Sequence, residues 1–101
     1  MKISIQQAIN AHKDGKLEEA ESLYQEILKT EPLNPDANHN LGVLKLSINN
    51  SSEALPLFKV ATEVNPDIVQ FWMSYGNALM QENQLEESET SYKKAIELDL
   101  S

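Results

Sequence analysis

The sequence predicts an all-α solenoid of three antiparallel helical hairpins, and two observations carry that expectation. First, the segment GKLEEAESLYQEILKTEP at residues 15–32 recurs at residues 49–66 and 83–100, a constant offset of 34 residues. A fixed period of this length marks a chain built by stacking one supersecondary unit on the next. Second, matched positions keep their residue type: small at Ala20, Ala54 and Ser88, aromatic at Tyr24, Phe58 and Tyr92, and closing at Pro32, Pro66 and Leu100. The units are residues 1–34, 35–68 and 69–101, which together form a single domain.

Each helix has a local reason. Residues 3–13 read as the first, with Ile5, Ala8, Ile9 and His12 at helical spacing. Gly15 breaks it, and Asn49 and Asn83 stand at the same register, so a residue tolerant of left-handed backbone is kept at each hairpin turn. The second helix, about 17–29, puts Leu17, Ala20, Leu23, Tyr24, Ile27 and Leu28 on one side. Glu18, Glu19, Glu21 and Glu26 lie on the other, expected to be solvated. Pro32 ends that helix, while Asn34 and Pro35 are suited to cap and start the next.

The second pair is expected at 35–48 and 52–64, with Leu41, Gly42 and Leu44 against Ala54, Leu57, Phe58 and Ala61. Pro56 is expected within the first turn, where a missing N–H costs little. The third pair, 68–82 and 85–98, has Asp67 as the expected N-cap. Its Phe71, Trp72, Tyr75, Gly76 and Leu79 are expected to face Leu85, Ser88, Tyr92, Ala95 and Ile96.

The period together with the small, aromatic and proline positions resembles the tetratricopeptide repeat family over all of residues 1–101. The resemblance implies a right-handed superhelix whose first helices line a concave groove. The first unit departs furthest, with Gln7, Ala8 and Ala11 where Leu, Gly and an aromatic are usual. The third ends at Leu100 and Ser101 without the closing proline. From this, residues 1–101 are expected to be the N-terminal portion of a longer protein.

Carried over copy by copy, the resemblance places rows of residues in the groove: Lys2, Asp36 and Gln70, then Ile5, His39 and Met73, then Gln6, Asn40 and Ser74. Ile9, Val43 and Asn77 follow, and His12, Leu46 and Met80 close the set. About half of the apolar members Ile5, Ile9, Val43, Leu46, Met73 and Met80 are expected to be wholly or partly buried between neighbouring first helices. The two-carboxylate clamp of chaperone-adaptor members would need Lys, Asn, Asn, Lys and Arg at Ile5, Ile9, Asn40, Gln70 and Ser74. Only Asn40 matches, and apolar Ile cannot compensate a desolvated carboxylate. The segment NHNLG at residues 38–42 instead resembles the amide-ladder repeats of O-linked N-acetylglucosamine transferase-like arrays. There an amide donates to a peptide carbonyl and accepts from its N–H.

Composition narrows the partners. Eight Lys, no Arg and sixteen acids give a net charge of −8, which disfavours nucleic acid and anionic membrane. There is no Cys, hence no disulfide or thiolate metal site. No signal-like or membrane-spanning run is present, so a cytoplasmic protein is expected. His12 and His39 lie in different units, and Asp36 with His39 supplies only two metal-type ligands. No catalytic residue, metal or cofactor is therefore expected. The sequence points to a non-catalytic interaction scaffold that binds a peptide or helix in its groove. The alternatives are a substrate-recruiting arm of a larger, glycosyltransferase-like enzyme, or a module that self-associates through its uncapped ends.

Overall fold

The computed structural model describes residues 3–101, so the groove-row residue Lys2 lies outside the described residues. Six helices follow one another: α1 (Ile5–Lys13), α2 (Leu17–Thr30), α3 (Pro35–Ser47), α4 (Ser51–Val64), α5 (Val69–Gln81) and α6 (Leu85–Leu100). They pair as α1 with α2, α3 with α4 and α5 with α6, and each hairpin stacks on the next through α2 against α3 and α4 against α5. Units one and three do not touch among the described residues, as expected of a quasi-one-dimensional array. It measures 41 × 28 × 22 Å.

The hairpin turns repeat in backbone detail. Gly15, Asn49 and Asn83 have φ of 78°, 61° and 60°. At each, the following amide donates back into the helix, Lys16 to Ala11, Asn50 to Lys45 and Gln84 to Leu79, at 2.8–2.9 Å. This is a Schellman closure, and its left-handed residue explains why only Gly or Asn appears there.

The helix starts are less uniform. Ser4 caps α1 through a reciprocal capping box with Gln7, which moves its start two residues beyond the expected one. Asn34 accepts from the Ala37 amide with Pro35 leading α3, as the sequence indicates. Asp67 is not the cap of α5. Ile68 holds that position with no side-chain bond, its backbone carbonyl accepting from the Phe71 amide at 3.1 Å, and separately the Trp72 indole N–H donates to the Pro66 carbonyl at 2.8 Å. At the same register Asn38 donates to the Pro32 carbonyl at 3.1 Å. The side chain one turn inside the helix thus ties down the proline turn before it. Pro56 also departs from expectation, being the sixth residue of α4. Past the first turn it removes a helical N–H, with Pro56 and Ser52, four residues back, both exposed to water.

The core is built of small residues opposite rings. Tyr24 and Phe58 are fully buried, as are Ala8, Ala20, Ala54 and Ala61. A Cβ on Gly42 would lie 2.6 Å from the Phe58 ring, and one on Gly76 2.7 Å from the Tyr92 ring. At these glycines the partner helix's ring sits directly on the backbone of α3 and α5. Leu85 and Ile96, expected inside, are 58% and 59% exposed, because α6 has a neighbour on one side only.

Glu21 corrects the expectation of a solvated acidic face. Lys45 is buried, and its ammonium lies 3.1 Å from Glu21 on α2 and 3.4 Å from Glu53 on α4. The hydrogen bond to Glu21 foremost raises the Lys45 pKa above its ordinary value. One lysine thereby joins three helices of two units.

Candidate functional site

Contacts between helices decide which way the array curves. α1 touches α3 and α3 touches α5, whereas α2, α4 and α6 make no contact with one another among the described residues. A layer in mutual contact opposite a splayed one is the inner layer of a curve. The inner surface therefore belongs to α1, α3 and α5, the helices that carry the sequence-derived rows.

Their exposure sorts the residues. Met73 and Met80 on α5 are 48% and 51% exposed, while Ile5, Ile9, Val43 and Leu46 are half-buried. Ile5 packs on the core of units one and two, and Val43 and Leu46 pack on that of units two and three. Gln6 is exposed and pairs its amide with Asn10 at 2.9 Å, and Asn40 is half-buried. Asn77 is exposed and its carbonyl accepts from the Tyr92 hydroxyl. Ile9, His12, Lys13, Tyr24 and Asn40 together line an open depression of about 270 Å3 between α1 and α3. Lys13 and Tyr24 were not among the sequence-derived site residues. Tyr24 stays buried beneath it, its hydroxyl meeting His12 Nδ1 at 3.2 Å with the two rings standing edge-on.

His39 is more committed than its row suggests. Its Nε2 lies 2.8 Å from the Ser74 hydroxyl on α5, and its ring centroid lies 5.5 Å from Phe58 and 4.7 Å from Phe71. Two predicted site residues, His39 and Ser74, are thus bonded to each other across the junction of units two and three. Burial lowers the His39 pKa, against smaller upward pulls from Asn40 and Asp36. The folded state therefore favours neutral imidazole. Because the unfolded chain binds the proton first on acidification, His39's contribution to stability is present above the ordinary histidine pKa of about 6.5 and is lost below it. Urea midpoints of the wild type should fall between pH 7 and pH 5 more than those of His39→Gln. Equal slopes would contradict this assignment.

Among the described residues no group of three His, Asp or Glu is placed to hold a metal, and no helix is long and apolar enough to cross a membrane. What the surface offers is a row of amides and hydroxyls beside apolar side chains.

Comparisons with known proteins fit this geometry. A tetratricopeptide repeat family model matches residues 11–73, and a second matches residues 69–101. The chain is 30% identical over 87 residues to tetratricopeptide repeat protein 7A of Homo sapiens, covering 86% of this chain and 10% of that protein. It spans about a tenth of that relative's length. Among solved structures, MamA 41-end from Desulfovibrio magneticus RS-1 superposes with a TM-score of 0.87 at 25% identity, over 94% of this chain and 54% of that one. The first TPR of Spaghetti (RPAP3), bound to the HSP90 peptide SRMEEVD, has a TM-score of 0.85 at 21% identity, over 100% of this chain and 86% of that one. At that identity the likeness is one of fold.

Proposed function

Because the chain belongs to the tetratricopeptide repeat family, we propose that it is a non-catalytic scaffold for protein–protein interaction, seating an extended peptide or a helix face along α1, α3 and α5. The observation that carries this reading is the pairing of rows on one surface. Gln6, Asn40 and Ser74 run beside Ile9, Val43 and Leu46, with Met73 and Met80 exposed at the third unit. Amides can bond a peptide backbone whatever its sequence, while thioethers and branched chains supply adaptable apolar contact. Exposed apolar side chains gathered on a concave surface are a common mark of a binding face. A protein of the same fold holding a peptide adds support. Ile5 and Ile9 stand where that family's carboxylate clamp has polar residues, so the ligand class here is apolar and extended rather than acidic at its C-terminus.

The test is a peptide-array screen of the intact chain with two variants. Asn40→Ala should weaken binding by about 1 kcal/mol with folding unchanged. Val43→Glu, which puts a charge in the apolar row, should abolish it. Binding indifferent to both substitutions would remove the groove from the account.

Self-association is the second reading, favoured by α6. Ile96 is 59% exposed where Thr62, its register equivalent on α4, is 3% exposed, and Leu85 and Leu100 are exposed on the same helix. A sedimentation mass independent of concentration would dismiss it.

A further inference from the structure

Away from the groove, a depression of about 230 Å3 opens between α5 and α6, bordered by Trp72, Tyr75, Leu79, Glu87, Thr90 and Ser91. None of these belongs to the groove rows. The register of the repeat explains why it exists in this unit. Trp72 and Ser91 stand where unit two has Asn38 and Leu57, so large and small side chains have exchanged helices. Trp72 is held in place at both ends, its indole donating to the Pro66 carbonyl and its own carbonyl accepting from the Ser91 hydroxyl at 2.7 Å.

A second exchange concerns charge. In unit two Lys45 lies against Glu53 at 3.4 Å. The equivalents in unit three are Leu79 and Glu87, so the acid is kept and the lysine is gone. No ion pair replaces it at Glu87 among the described residues, and no basic residue lines the depression. Two rings stand in its wall instead. The Trp72 and Tyr75 centroids are 6.5 Å apart with planes at 47°, so a cation seated in the depression against both rings can lie within the ~6 Å reach of each. Burial foremost, and after it the nearby charges of Glu87 and Glu63, raises the Tyr75 pKa.

We propose that this depression is a docking subsite for a lysine side chain of a partner protein, which would take beside Glu87 the place that Lys45 takes beside Glu53. The partner is a basic segment, and the net charge of −8 draws it in from a distance. This surface is separate from the groove and does not depend on what the groove binds.

Trp72 is the only tryptophan in the chain, so its fluorescence reports on the site directly. The intact chain is titrated with a capped glycine peptide carrying lysine at its centre, and with the same peptide carrying uncharged norleucine. A saturable change with the lysine peptide alone is expected. In Glu87→Gln the affinity should fall about fivefold. Leu79→Lys, which rebuilds the internal lysine of unit two, should remove the response with helix content retained. Asn40→Ala, which leaves folding unchanged, should leave it unaltered, which separates this site from the groove. An equal response to norleucine, an undiminished response in Glu87→Gln, or no saturable change would each overturn the proposal.

Discussion

Phe58→Ala is expected to lower the unfolding free energy by about 3–5 kcal/mol, read from urea unfolding followed by circular dichroism. The Phe58 ring is fully buried and fills the space left by the absent Cβ of Gly42. It also lies 5.5 Å from the His39 ring, which reaches on to Phe71 and Ser74. Removing it opens a cavity between α3 and α4 and takes one wall from the residue that joins units two and three. A domain of this size has only about 5–15 kcal/mol in all, so a loss on that scale is a large fraction of it. A loss below about 1 kcal/mol would mean that the middle unit is not the keystone of the array.

Gly42→Val should cost nearly as much for the opposite reason. Its Cβ would meet three Phe58 ring carbons at 2.6, 2.8 and 2.9 Å, and the ring is enclosed. Overpacking of this kind costs about 1–3 kcal/mol, and here the upper end is expected. Helix propensity alone would favour the change by a few tenths of a kcal/mol, roughly, so a loss identifies packing as the cause. Gly76→Val makes the control. Its Cβ would meet Tyr92 at 2.7 Å, but that ring is half-exposed and can yield, so the smaller loss should be found there. Equal losses would contradict the distinction. The first unit shows that another solution exists, since Ala8 takes the glycine register and Tyr24 is still fully buried, with its hydroxyl on His12.

How much of this was legible in the sequence follows the range of each interaction. The turns at Gly15, Asn49 and Asn83 were readable because a left-handed backbone is a property of one residue. The Asn34 cap was readable because it spans three residues. Asp67 misled because the cap position falls one residue later, at Ile68, whose backbone carbonyl takes the Phe71 amide at 3.1 Å with no side chain involved. Glu21 misled because its partner, Lys45, lies 24 residues away on a helix of the next unit. The groove rows followed from the period and the family resemblance, and the helices that carry them, α1, α3 and α5, are the ones in contact along the array. The pairings within that layer, His39 with Ser74 and Asn77 with Tyr92, were not legible, since each depends on how two helices meet.

The central claim is that ligands seat on α1, α3 and α5, and amide chemical-shift mapping by NMR during titration with an array-selected peptide tests it most directly. The account predicts shifts concentrated around Gln6, Ile9, Asn40, Val43, Leu46, Met73 and Met80, with α2, α4 and α6 largely silent. Shifts centred on the outer helices, with those seven positions unmoved, would contradict it.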